Sequence, residues 1–161
     1  MIWIAVLLAQ SAAAPQIERG ETLFFEATKG CATCHALKGR GTAVGPDLRT
    51  IGRLSPQAIA AAIRATATAY VETAKPKDGP KFAAMPVTQD DKTVQVYDLS
   101  KVPPELRKFD RENVTISSHD GTWKHPPAAA GYTKEQLADI VAYVRYAASG
   151  SKKAVDPSEV E

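Results

Sequence analysis

The chain's two cysteines fall in one pentapeptide, Cys31-Ala32-Thr33-Cys34-His35. Two thiols spaced by two residues, with an imidazole next in line, are the attachment pattern of c-type haem. The order suits the chemistry. The spacing places both thiols on one helical turn, where they can add across the two vinyl groups of the porphyrin. The following imidazole then points at the iron from the same side. Cys31 and Cys34 are therefore read as thioether anchors and His35 as the proximal iron ligand. Other uses of paired thiols fit less well. A thioredoxin-type pair follows a strand in a βαβ unit, whereas this one follows a helical pattern. A structural zinc wants four Cys or His ligands, and His35 alone cannot complete a set. A short disulfide is open to an exported chain, but it leaves the adjacent His35 without a role.

The elements that must hold this pentapeptide are legible on either side of it. Gln16 to Lys29 predicts a helix, with Ile17, Phe24 and Ala27 on one face and Gly30 placed to end it. Gly20 shares that face, so a second helix can approach the backbone closely there. Thr133 to Ala148 supplies the partner. Thr133 with Gln136 makes a capping box, Leu137, Ile140, Val141, Val144 and Ala148 repeat at helical spacing, and Gly150 can stop the helix. Between the two, Ser55-Pro56 reads as an N-cap followed by proline at the first helical position. It opens an alanine-rich helix through Ile59, Ala60 and Ile63. Terminal helices of this length are marginal alone in water, so packing on each other or on a cofactor must stabilise them.

A length of 161 residues suits one domain with a substantial core. Apolar residues make up 44% and charged residues 24%, which excludes whole-chain disorder, a collagen-like chain and a disulfide-dense scaffold. No apolar run reaches the ~20 residues of a spanning helix, so no membrane span is expected in the mature chain. A net charge of +2 argues against a nucleic-acid binder. Met1 to Ala14 carries no charged side chain, is apolar from Ile2 to Ala9, and ends in Ala12-Ala13-Ala14. We read residues 1–14 as a secretory signal peptide without the usual basic n-region, the alternative being an uncleaved amphipathic N-terminus. Pro15 favours a cut after Ala13. Residues 15–150 then form the domain, and the polar stretch from Ser151 to Glu161 is expected to be a flexible tail.

With Gly20 and Phe24 before the pentapeptide, Gly45-Pro46-Asp47-Leu48 after it and Tyr143 in the last helix, the chain resembles a bacterial class I c-type cytochrome. The likeness covers Gln16 to about Ala67 and Trp123 to Ala148. It implies a mainly α fold, in which the first and last helices cross at the glycine and aromatic positions around one covalent haem c and its iron. It also implies a role for Pro46, eleven residues after His35. In the family a proline carbonyl about there accepts a hydrogen bond from the far nitrogen of the haem histidine, fixing the ring and raising its basicity.

The middle of the chain departs from a minimal cytochrome. Thr93 to Tyr97 and Asn113 to Ser118 alternate in polarity, and Asp120-Gly121 predicts a hairpin turn into Thr122-Trp123-Lys124. Lys101 to Glu112, with Pro103-Pro104 and mixed charge, reads as a loop. A small β-hairpin insertion over about residues 81–124 is thus expected before the last helix.

The sixth iron ligand has three candidates. Met85 precedes Pro86, as ligand methionines of the family do, and its plain alternative is a core gap-filler beside Phe82. His125 precedes Pro126-Pro127 and lies eight residues before Thr133, where the family places its ligand loop; its plain alternative is a surface histidine. His119 beside Asp120-Gly121 reads as a turn residue. The position favours His125, with Met85 as the alternative. From Lys29 to Arg64, Lys29, Lys38, Arg40, Arg49, Arg53 and Arg64 face only Asp47, a net +5 that could steer an acidic partner or simply be solvated surface.

The resulting expectation is a periplasmic or otherwise exported one-electron carrier, not an enzyme. It would serve redox partner proteins such as a periplasmic dehydrogenase or oxidase. The alternatives are a haem subunit of one specific dehydrogenase, and a haem enzyme or sensor with an open sixth position.

Overall fold

The computed structural model describes residues 2–68, 70–118 and 122–161, with side chains in the first helix from Ala13 onward. The chain divides into two units: Met1–Ala65 with Pro127–Glu161, and Thr66–Pro126.

Helix α3 (Lys134–Ser149) is the hub of the first unit. It starts in a complete capping box: Thr133 Oγ1 accepts from Gln136 N, and Gln136 Oε1 accepts from Thr133 N at 3.0 Å. Gly150 ends it in the left-handed conformation at φ 75°. Nine of its residues are buried, including Leu137, Ile140, Val141 and Val144. That is wider than one amphipathic stripe, because the helix is packed by α1 (Ile2–Phe24), by α2 (Pro56–Arg64) and by the C-terminal segment.

The crossing with α1 falls at Gly20. A Cβ there would lie 1.9 Å from the Asp139 carbonyl oxygen and 2.9 Å from Tyr143 Cβ, so only glycine permits this approach. The Phe24 and Tyr143 rings meet just beyond it at 5.5 Å, and Arg19 clamps the nearly buried Asp139 with two hydrogen bonds of 2.8 and 2.9 Å. Helix α1 stops at Phe24, short of the expected Lys29, and Ala27 is exposed rather than on the packed face. The chain turns there instead, with Gly30 N–H donating to the Glu26 carbonyl at 2.8 Å. Helix α2 begins as read, with Ser55 capping Ala58 N and Pro56 in the first turn.

The second unit overturns the mainly α expectation. It holds five antiparallel strands: β1 (Glu72–Pro76), β2 (Phe82–Gln89), β3 (Thr93–Asp98), β4 (Glu105–Asp110) and β5 (Val114–Ser117). Their order is β4-β3-β2-β1-β5, so the last strand returns to pair with the first. Ala74, Phe82, Ala84, Val94, Val96 and Val114 form a core of their own on one face. This is a sheet unit of residues 66–126, not a hairpin over 81–124. The segment read as a loop, Lys101 to Glu112, supplies β4. Residues 122–124 are not a strand, and the Asp120-Gly121 turn lies outside the described residues. The physical reason is that β1, β2 and β4 contain Pro76, Pro86 and many charges, which local propensity counts against strands. Pairing overrides that preference, on both sides for β1 and β2 and along the whole of β3 for the edge strand β4. Pro86, without an N–H, is tolerated because the β2–β3 register shifts between Pro86 and Thr88.

The expected flexible tail is also ordered. Val155 and Val160 are buried in the helical core, and the Gln16 side-chain amide pairs with Val155, donating to its carbonyl at 2.8 Å and accepting from its N–H at 2.9 Å. Lys134 pairs with Glu161, and Arg64 donates to the Val160 carbonyl. Two valines spaced five apart in a polar stretch gave too weak a pattern to read.

Candidate functional site

Cys31 opens a single 3-10 turn (Cys31–Thr33) immediately after the turn that follows α1. The Cys31 carbonyl accepts from both Cys34 N–H (3.1 Å) and His35 N–H (2.9 Å), so the three candidate residues share one tight turn. Both cysteines are half-buried and not joined to each other. Burial pushes the Cys31 thiol up to about 11 and raises Cys34 as well. Near neutral pH both side chains are thus uncharged, and a thioether, which is neutral too, suits the same setting.

The stretch from Thr42 to Pro46 folds back over this turn. Thr42 N–H donates to the Ala32 carbonyl at 2.9 Å, and Val44 and Gly45 both donate to the Cys34 carbonyl, at 3.1 and 2.7 Å. Gly41, at φ 93°, allows the reversal; a Cβ there would lie 2.4 Å from the His35 carbonyl oxygen. The return brings the Pro46 carbonyl 2.8 Å from His35 Nδ1. A carbonyl can only accept, so Nδ1 carries the proton and the lone pair resides on Nε2. That is the tautomer a metal-binding imidazole needs. Gly45 lies against the ring, where a Cβ would be 2.5 Å from Cε1 and 2.9 Å from Nδ1. The residues fit the prosthetic group: paired neutral thiols on one turn, an imidazole with a fixed tautomer, and a backbone cradle that only glycine allows.

Two of these features escaped the sequence reading. Gly45 was visible only as part of Gly45-Pro46, with no sign that its missing side chain makes room for the imidazole. Tyr132, the residue before the Thr133 cap, donates to the Lys29 carbonyl at 3.1 Å and steadies the segment entering Cys31. Lys29 Nζ lies 4.9 Å over its ring, and burial pushes the Tyr132 hydroxyl up to about 12.

Met85 and His125, two of the three sixth-ligand candidates, belong to the sheet unit. Met85 is half-buried in β2, the middle strand, opposite Tyr97 of β3. Phe82 and Ala84 point into the sheet core, so Met85 stands on the other face and is not the gap-filler beside Phe82 that was one reading. His125 lies in the extended stretch before the last helix; its N–H donates to the Thr66 carbonyl at 2.8 Å. Its Nδ1 lies 2.7 Å from the Pro126 carbonyl, so it too donates from Nδ1 and carries its lone pair on Nε2. His119 lies outside the described residues.

Thiols, clamped imidazole and helix crossing together are the equipment of a protein that holds haem covalently. The chain matches the Cytochrome c family over residues 17–148 and belongs to it. Its cofactor is covalent haem c with iron, and the family's general work is haem-based electron transfer between redox partners. A search of curated proteins found no match. Among the described residues, no helix is long and apolar enough to cross a membrane.

Proposed function

We propose that this chain is a class I cytochrome with a single haem, working as an exported one-electron carrier. Residues 1–14 act as its leader in this reading. Cys31 and Cys34 are the thioether anchors, His35 is the proximal ligand, and Pro46 orients it. The observation that carries the reading is the 2.8 Å contact from His35 Nδ1 to the Pro46 carbonyl beside the two thiols. When bound, the haem supplies a metal centre that takes up and releases one electron. The chain's own contribution is to fix the imidazole, exclude water from the thioether side and present a charged surface to partners. Catalysis of its own is not part of this reading.

His125 is the proposed sixth ligand. Its Nδ1 contact to a proline carbonyl repeats the arrangement at His35, whereas Met85 is tied into the central strand of the sheet. Two imidazoles leave no exchangeable position and give a lower potential than His/Met, because a thioether is the softer donor and favours the ferrous state. The test is the visible spectrum of purified protein, oxidised and reduced, with and without carbon monoxide. The reading expects reversible one-electron conversion, no weak far-red His/Met band and no carbon monoxide binding. His125→Ala should open the iron to carbon monoxide, while Met85→Ala should leave the spectrum unchanged. The reverse pattern would move the assignment to Met85. Ready binding by the wild type would favour an enzyme or sensor.

A further inference from the structure

We propose that Trp123 is a positioning residue for the His125 imidazole; this rests on the reading of His125 as the sixth ligand. Pro126 forces the residue before it into an extended conformation. In an extended chain, residues two apart project to the same side. Trp123 and His125 obey this: their rings meet edge to face, with centroids 6.2 Å apart and planes at 87°. Both are half-buried.

Three constraints then act on one side chain. The His125 N–H is held by the Thr66 carbonyl at 2.8 Å, where the chain enters the sheet unit. The Pro126 carbonyl takes the Nδ1 proton at 2.7 Å and fixes the tautomer. The indole edge packs against the imidazole and so hinders its rotation about the bond to Cβ. The backbone bond does not touch the ring; the Nδ1 bond, off the ring's pivot, restrains its rotation, and the perpendicular indole packs against the ring so held. A ligand in a stretch that is itself neither helix nor strand, as residues 123–127 are, needs such a buttress to keep Nε2 directed at one point. Trp123 therefore controls how firmly the His125 imidazole keeps its orientation, and with it how firmly the sixth position would be closed.

The experiment uses the full haem-loaded protein and three variants, Trp123→Ala, Trp123→Phe and His125→Ala. The readouts are the low-spin ferric electron paramagnetic resonance spectrum and the rate of cyanide binding. The far-ultraviolet dichroism of each variant checks that the sheet persists. Trp123→Ala should keep its haem, shift and broaden the low-field resonance, and bind cyanide about tenfold faster, the size of effect typical when a residue supporting a metal ligand is removed. Trp123→Phe should restore a narrow resonance and slow binding, because a phenyl ring can fill the same edge contact. If His125→Ala opens the iron while Trp123→Ala matches wild type in both readouts, the ligand assignment stands and the buttress is wrong. A His125→Ala spectrum identical to wild type would overturn both.

Discussion

A Cβ added at Gly45 would lie 2.5 Å from His35 Cε1 and 2.9 Å from Nδ1, so a methyl group there must displace either the imidazole or the loop. Displacing the ring breaks the bond to Pro46. Gly45→Ala should leave haem attachment intact, since Cys31 and Cys34 are untouched. It should nevertheless lower the stability of the haem-loaded protein by about 1–3 kcal/mol in denaturant titration, the usual cost of overpacking. Unchanged stability would mean that the loop yields without cost. At this scale the pentapeptide was readable because covalent attachment imposes a fixed order on residue types, whereas Pro46 was reached only through the family resemblance. Gly45 and Tyr132 were not, because close approach to a ring and a side-chain bond across more than a hundred residues leave no local pattern.

Gly20 makes the corresponding claim for helices. The α1–α3 crossing puts the Asp139 carbonyl oxygen 1.9 Å from where a Cβ would stand. Gly20→Ala should cost about 3 kcal/mol, at the upper end of overpacking penalties, and urea unfolding would measure it. A loss below about 1 kcal/mol would mean that the helices separate easily. The C-terminal segment offers a second test. Gln16 is buried and makes both of its amide bonds to Val155. Gln16→Ala should cost about 1–3 kcal/mol through the unpaired main-chain groups left behind, and should speed proteolytic cleavage at Lys152 and Lys153. Equal cleavage rates would show that the valines alone hold the segment. Helices α2 and α3 were legible from caps and periodicity, down to the Thr133–Gln136 box. The strands mostly were not: Glu105–Asp110 is charged at four of its six positions and Phe82–Gln89 contains a proline, so pairing with neighbouring strands rather than their own composition makes them strands.

For the molecule as a whole, charge and acid stability are the accessible properties. The stretch from Lys29 to Arg64 is less positive in space than along the chain. Arg40 pairs with Glu21, Lys29 with Glu26 at 3.8 Å, and Arg49 with Asp47 at 2.8 Å. Steering of an acidic redox partner should therefore depend more on Lys38 and the exposed Arg53 than on Arg49. Reversing Lys38 and Arg53 to Glu should slow partner reduction several-fold at low salt, with the difference fading at high ionic strength. A rate flat in salt would leave only a solvated surface.

In the sheet unit, burial pushes the Asp98 carboxyl up, but donation from Ser100 N, Ser100 Oγ and Arg107 outweighs it and holds the group below its ordinary value. A lowered folded-state value stabilises above the ordinary carboxylate range near pH 4 and loses that contribution as pH falls through the folded value. Asp98→Asn should lower stability at pH 7 and flatten the acid limb of the stability curve. An unaltered acid limb would assign acid sensitivity to other carboxylates.

Covalent attachment through Cys31 and Cys34 is the claim on which the electron-transfer account rests, and intact mass after acid-acetone extraction tests it most directly. The account predicts that the pigment stays with the protein and that the chain is heavier by one haem. It also predicts that Cys34→Ala yields little or no pigmented protein. Haem recovered in the acetone, with an unmodified chain left behind, would contradict it.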